Sequence, residues 1–565
     1  MKHNPRLVYD VPAITTFREL MDHARARYAD QIAFLYRDGE EIREVTYERA
    51  YREMVAFATY LRSRVPAGSK VAVTGKNSYH WVLTYLAVTC GVGIIVPIDK
   101  DLRTDEIADL MADSEAVALV YSDEQSEKVA DATGNYLALS MNDMERYLAE
   151  GQALLDGGDT SYATHHVDPH ALGILLYTSG TTGVAKGVML SQYNICFDIT
   201  HILCRVHVGP EDRALSVAPL HHTYEMTAGC LCMLYSGASI AYNSSLRRLQ
   251  AEMKLFRPTL MAVVPLILET FRNAVIKKYG QMKGGKTVLA LQRAAADATS
   301  SRSARKKIFS VVNDTFGGRM RLLVCGAALL PPEVFRDFER FGIQVMIGYG
   351  LTETAPVCLM HNDFYNAPDD IGYPMSGVQA RLDDVNEEGV GELVVKGPNV
   401  MLGYYKNPEE TSKVIDSEGW FHTGDLARLT PHGTYQIAGR AKSMIVSPGG
   451  KKIFPEELEL FLSASPYIKE CMVFNSGRDG NCCVTASLYP DDEAVAERLA
   501  KDGLAPGAAA YDIAERALLA DVVKEVNGKF PHYKHITRTV VRHEEFVKTT
   551  TKKIRRNAPE NLTEV

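Results

Sequence analysis

The feature that most constrains this chain is a twelve-residue string, YTSGTTGVAKGV, running from Tyr177 to Val188. It sets hydroxyls at Thr178, Ser179, Thr181 and Thr182 among glycines at Gly180, Gly183 and Gly187, with Lys186 as its cation. Glycine lets backbone N–H groups approach an anion closely, hydroxyls donate further bonds, and a lysine adds a point charge. A polyphosphate suits such a loop. The lysine is not followed by Ser or Thr, so this is not the GxxxxGK-Ser/Thr loop of common nucleotide hydrolases. ALGILL before the string predicts a strand, and MLSQYNICFDIT after it predicts a helix.

Short β-rich runs such as KVAVTG (Lys70 to Gly75), AVALVYS (Ala116 to Ser122) and RLLVCG (Arg321 to Gly326) alternate with helical patterns through the first 400 or so residues. That order predicts an α/β protein with parallel-rich, helix-covered sheets. A length of 565 residues exceeds what one hydrophobic core supports. After Gly439–Arg440 a new alternation of strands and helices begins, which predicts a large domain over 1–439 and a smaller α+β domain over 443–565. The apolar stretch Trp81 to Ile98 carries Gly91, Gly93 and Pro97, so it reads as a buried helix entering a buried strand rather than a membrane span.

A net charge of −8 argues against nucleic acid as a partner of the whole chain. Ten cysteines form no CxxC pair, and no Cys/His cluster has zinc spacing, so free thiols in a reducing cytoplasm are expected. The opening MKHNPRLVYDVPAITTF lacks the apolar run of a secretory signal. Between Arg272 and Lys307 ten basic residues face one acid, Asp297. Two readings stand for that segment: a solvated helical excursion, or a patch that docks on an anionic surface such as the inner face of a membrane.

Further motifs follow in order: PLHHTYE (Pro219 to Glu225), CGAAL (Cys325 to Leu329), GYGLTET (Gly348 to Thr354), WFHTGDLARL (Trp420 to Leu429), GRAKSMIVSPGGKKIFPEELE (Gly439 to Glu459) and FVKTTTKKIRR (Phe546 to Arg556). Taken singly, His222 reads as a structural or surface residue, TGD as a turn, and the final basic run as a solvated tail or weak nucleic-acid patch. Glu353 is a hard carboxylate of the kind that shares magnesium with nucleotide phosphates. Met226, Cys230, Leu231 and Met233 suit either an apolar pocket or the core.

Together and in this order, the motifs resemble those of the adenylate-forming superfamily along essentially the whole chain. PLHHTYE and GYGLTETAPV are most similar to the long-chain fatty acyl-CoA synthetase branch. The resemblance implies that the loop Thr178 to Lys186 orients the β- and γ-phosphates of ATP, and that Gly326 and Ala327 line the adenine and acyl site. It implies that Tyr349, with Gly350 beside it, stacks on adenine, that Thr352 bonds the α-phosphate and that Glu353 holds Mg²⁺. By the same resemblance, His222 is expected to close the acyl site, and Asp425 and Arg440 to hold the ribose. It further implies that residues 440–442 form a hinge centred on Lys442, that Gly449 and Gly450 approach the thiol acceptor, and that Lys553 reaches the reacting carboxylate. Four positions depart from the family pattern: Ala185 for Pro, Ser443 for an acid, Val547 for Pro and Lys552 for Gly. Lys552 leaves open whether it shares the role of Lys553.

The implied activity is ATP-dependent conversion of a carboxylic acid, medium- to long-chain fatty acid foremost, to an acyl-adenylate with pyrophosphate release. Transfer to coenzyme A then gives acyl-CoA. The alternatives are loading of a carrier-protein thiol and a degenerate nucleotide-binding protein without catalysis.

Overall fold

Two parallel-rich sheets grow directly out of the β-branched runs. In the computed structural model the described residues are 8–132, 134, 136–179 (backbone only at 179), 185–447, 451–477, 482–548 and 554–562. Nine described strands form the first sheet. Six of them, Ile32–Asp38, Ser239–Tyr242, Arg213–Ser216, Leu260–Val263, Leu322–Cys325 and Gln344–Tyr349, lie side by side and parallel. Antiparallel strands close both edges. The second sheet has seven described strands, with Leu172–Ser179, Ile94–Ile98, Lys70–Thr74, Ala118–Tyr121 and Leu137–Ser140 parallel. Strands buried on both faces need continuous apolar runs, which is why Val71, Val73, Ile95, Val96, Leu119 and Val120 are all buried.

The stretch Trp81 to Ile98 folds as a buried helix, Tyr79–Gly91, followed by the buried strand Ile94–Ile98. Ser78 caps that helix by accepting a bond from the Trp81 amide. Among the described residues no helix is long and apolar enough to cross a membrane. The segment after the glycine-rich string corrects the expected helix: Ala185–Ser191 is a strand, antiparallel to Leu172–Ser179, and the helix starts only at Gln192. Ser191 and Asn194 form a capping box there, so the chain leaves the sheet at Ser191 rather than at the string itself. A run of three apolar residues, Val188 to Leu190, does not distinguish strand from helix, and here sheet pairing decides.

The chain divides into two compact units. One comprises residues 1–328, 334–380 and 395–421, and contains both large sheets. The other comprises 329–333, 381–394 and 422–565. Its three-stranded sheet, Ile468–Asn475, Val484–Pro490 and Arg538–Val541, packs on the helices Pro455–Leu462 and Ala509–Asn527 through Leu458, Val473, Ala486, Leu488 and Leu519. Eight of the ten cysteines are buried, and Cys482 and Cys483 are half-buried.

The basic segment 272–307 forms helices whose arginines serve the fold. Arg272 and Arg293 both bind the fully buried Asp337, at 2.8 and 2.6 Å. Arg305 donates to the carbonyls of Ala296 and Thr299.

Candidate functional site

In open parallel sheets the loops at the carboxyl ends of the strands gather ligand-binding groups. In the first unit those ends carry Asn77, Asp99, His222, Gly326, Ala327 and the GYGLTET loop. Strand pairing sets Thr178 opposite Lys186 and Ser179 opposite Ala185, which makes the glycine-rich string the head of a β-hairpin. Gly180, Thr181, Thr182 and Gly183 lie outside the described residues.

Lys186 pairs with Glu410, from the helix Pro408–Val414, and its ammonium sits 5.1 Å from the centre of the Tyr404 ring. Lys186 and then Lys413 hold the Glu410 carboxyl down at about 2. The Tyr404 hydroxyl donates to Glu353 Oε1 at 2.9 Å. Tyr404 thus joins Lys186 to Glu353, two residues 167 positions apart in the chain. Neither Tyr404 nor Glu410 was singled out in the sequence. Their signal was GYYKNPEET, where Asn407 caps a helix that Pro408 opens.

Glu353 sits on a single helical turn, Thr352–Thr354, directly after the strand that ends in Tyr349. Thr354 Oγ1 accepts from the Leu351 amide, and Met401 donates its amide to the Glu353 carbonyl. A Cβ at Gly350 would meet the Pro356 carbonyl oxygen at 1.8 Å, so only glycine fits. Asp198, fully buried, accepts from the Val357 amide at 2.6 Å and fixes the far side of the loop. Ala327 takes φ +70°, a left-handed conformation, at the end of Leu322–Cys325.

His222 is half-buried and lies against His221, ring centres 4.1 Å apart. The loop before them is held from the second sheet. Asn77 donates to Ser216 Oγ and the Ala218 carbonyl, and accepts from the Leu220 amide. His221 Nε2 faces Asp99 at 3.6 Å, and burial pushes its pKa down. The chain then enters a π-helix, Glu225–Leu231, a rare form that is frequent at functional sites. Glu225 is fully buried, and desolvation pushes its carboxyl up to about 8 against the Ser216 hydroxyl and Val217 amide.

Beneath this loop runs a narrow cavity of about 20 Å³, lined by apolar side chains including Ala228, Met233, Ala262 and Val324. Of the four apolar candidates, Met233 lines it, while Met226, Cys230 and Leu231 are core residues. Tyr224 closes one end, its hydroxyl donating to the carbonyls of Val324 and Val263. A Cβ at Gly326 would stand 3.2 Å from the Tyr224 ring, so the small residue lets the tyrosine seat.

The second unit, taken by itself, holds Asp425 and Arg440. TGD is not a turn: it lies within the strand Phe421–Leu429, antiparallel to Tyr435–Arg440, with Gly424 at φ +70°. Asp425 sits opposite Arg440, which binds it at 2.9 Å. Thr423 donates to the Leu393 carbonyl and accepts from the Asp425 amide, and Glu392 accepts from the Gly424 amide. Lys442 lies in the exposed turn Ala441–Ser443. In the last basic run Lys548 binds Glu470, and Arg556 pairs with Glu459 and Glu456. Gly449, Gly450, Lys552 and Lys553 lie outside the described residues.

The family described as AMP-binding enzyme matches residues 21–405, and the AMP-binding enzyme C-terminal domain matches 442–562. Long-chain-fatty-acid–CoA ligase 1 of Homo sapiens is 29% identical over 481 residues, 77% of this chain and 67% of that protein. A chloroplastic long-chain-fatty-acid–acyl-carrier-protein ligase of Arabidopsis thaliana is 27% identical over 536 residues, 80% of this chain and 73% of that protein. Among solved structures, an anthranilate CoA ligase in complex with anthranoyl-AMP superposes with a TM-score of 0.74 at 20% identity, covering 97% of each chain. ATP-bound MatB from Rhodopseudomonas palustris does so at 0.72 and 21% identity, covering 95% of this chain and 97% of that one. With two family matches that run from residue 21 to residue 562 and a fold shared along the chain, this protein belongs to the AMP-binding, adenylate-forming enzyme superfamily, as an AMP-forming acid–thiol ligase.

Proposed function

We propose that the protein activates a medium- to long-chain fatty acid as its acyl-adenylate and transfers the acyl group to coenzyme A. The observation that carries this reading is the junction of Lys186, Tyr404 and Glu353 beside the Thr178–Lys186 pair of the glycine-rich hairpin. A cation and a hard carboxylate meet there, which supports a site for a magnesium-bound triphosphate. The human and Arabidopsis relatives, both named as long-chain-fatty-acid ligases, support the substrate class.

Substrate carboxylate and ATP repel each other, so the first half-reaction needs charge neutralisation more than proton transfer. The carboxylate attacks the α-phosphorus, and the bond to the departing pyrophosphate breaks. Thr178, Ser179, Gly180, Thr181, Thr182, Gly183 and Lys186 cradle the leaving phosphates, and Thr352 bonds the α-phosphate. Glu353 fits a Mg²⁺ ligand: Oε1 is taken by Tyr404, and Oε2 accepts no hydrogen bond among the described residues. Magnesium held there would neutralise phosphate charge. Tyr349, Gly350, Gly326 and Ala327 frame adenine, Asp425 and Arg440 hold the ribose, and His222 closes the acyl side. Lys553 meets the charge that builds in the transition state. Lys553→Ala should slow adenylation by about 10²–10³, since a preorganised donor is worth ~2.7–4 kcal/mol; a rate within about threefold of wild type, in single-turnover measurement, would remove Lys553 from the mechanism.

For the second half-reaction we assign residues 440–442 as a hinge centred on Lys442, between domains at 1–439 and 443–565, and Gly449–Gly450 as the thiol-side loop. A thiol near neutral pH is already partly ionised and needs little base assistance. The Arabidopsis relative, named as an acyl-carrier-protein ligase, keeps a carrier thiol as the second reading.

The test is pyrophosphate release with Mg·ATP across acids from acetate to C18 and benzoates, with and without coenzyme A. Release that rises with chain length and turns over only with coenzyme A supports the proposal. A single burst indifferent to coenzyme A favours the carrier-protein reading. Silence with every acid defeats both.

A further inference from the structure

Three side chains of the second unit, none of them given a role above, converge. Asp492 opens the helix Asp492–Ala500, Glu515 lies on Ala509–Asn527, and His543 follows the strand Arg538–Val541. One donor atom from each lies within 4.8 Å of the other two. The Glu515 side chain is only 5% exposed, yet among the described residues its carboxylate accepts no hydrogen bond. It faces His543 Nε2 at 3.7 Å, an ion pair when the imidazole is protonated.

That distance is too long for a hydrogen bond. It is close to the spacing, about 3.4 Å, of two ligands held 2.0–2.2 Å from one tetrahedral ion. Burying a carboxylate that accepts no hydrogen bond and has only this longer ion-pair contact is costly. Burial pushes the Glu515 carboxyl up, His543 lowers it, Asp492 and Asp512 raise it further, and Arg516 lowers it least. The segment on either side of His543 is braced. Arg542 donates to the carbonyls of Glu544 and Glu545 and stacks on Phe546, 4.1 Å from the ring centre.

We propose that Asp492, Glu515 and His543 form a binding site for a divalent transition-metal ion of the zinc class. One imidazole and two carboxylates are a donor set that suits zinc over calcium or magnesium, and solvent can complete the coordination. The ion ties two helices to the segment that leads into Phe546–Arg556, the run that bears Lys553. Its role is therefore to brace the start of that run, separate from the magnesium proposed at Glu353.

The test uses the full-length protein, stripped of metal and free of ATP, titrated with Zn²⁺ by calorimetry and with Co²⁺ by absorption. The expected result is one ion per chain with d–d bands and no thiolate charge-transfer band. His543→Ala and the isosteric Glu515→Gln should each weaken that binding by at least about tenfold. Circular dichroism establishes that each variant is folded. Undiminished binding in both folded variants, a thiolate band, or no binding by the wild type would each overturn the site.

Discussion

The two ends of one strand, Arg213–Ser216, treat a buried carboxylate in opposite ways. Asp212 precedes the strand at 2% exposure, and Glu225 follows its other end at 1%. Burial pushes both carboxyls up. Around Asp212, Arg321 binds both oxygens, Thr259 donates at 2.7 Å and the Gly209 amide at 3.1 Å, so the carboxyl ends below its usual range. Around Glu225, Ser216 and Val217 compensate only in part, Oε2 has no partner among the described residues, and the carboxyl rises to about 8. Partners, not depth, decide the charge of a buried acid. The amino end of the strand is built to hold, whereas the segment beyond its carboxyl end tolerates an unpartnered polar atom on Glu225.

If that contrast is right, substitutions at the amino end should cost stability and those at the carboxyl ends should cost rate. Asp212→Ala strands the Arg321 guanidinium and should destabilise by about 3–5 kcal/mol in urea unfolding, with specific activity of the folded fraction kept. A loss of activity at unchanged stability would break the comparison. Glu353→Gln, after the strand Gln344–Tyr349, should do the reverse: a fall of about 10²–10³ in adenylation rate, ~2.7–4 kcal/mol, with little change in unfolding midpoint.

Glu225→Gln tests the unpaired acid by its pH dependence. A carboxyl raised from 4.5 to about 8 favours folding fully at low pH, and that contribution is lost as pH rises through the window between them. At pH 7 the wild type should therefore have lost on the order of 3 kcal/mol relative to its own value below pH 4.5, and Glu225→Gln should not. Parallel stability profiles from pH 5 to 8 would mean that Glu225 is ionised and fully partnered. The smallest effect is expected for Tyr404→Phe, which keeps the ring under Lys186 and removes only the bond to Glu353. It should cost about tenfold in kcat/KM, about 1.4 kcal/mol, and unchanged kinetics would unlink Tyr404 from the site.

What the sequence carried well was local. The glycine-rich string, GYGLTET and TGD announce themselves because their chemistry is packed into a few consecutive residues, and the helix–strand reading of Trp81 to Ile98 holds for the same reason. What it hid was pairing over distance. Lys186 meets Glu410 across 224 positions, and no periodicity reports that. The arginines of 272–307 looked like surface charge until Asp337 gathered two of them. Met189–Ser191, the expected start of a helix, instead ends the strand Ala185–Ser191, because its hydrogen-bond partner is a neighbouring strand, not its own next turn. Asp492, Glu515 and His543 span 51 residues and carry no motif.

The distribution of thiols has a practical consequence for watching this enzyme work. Burial pushes the Cys90, Cys196, Cys230, Cys232 and Cys325 thiols up, which leaves them inert to alkylating dyes at neutral pH. Hydrogen bonds from Ser476, Thr537 and Thr485 instead draw the half-buried Cys483 down. A maleimide fluorophore added to the unmodified chain should therefore settle first on Cys483, in the second unit. The native sequence already supplies an optical reporter for that unit, with no cysteine to engineer in and none to remove from the core.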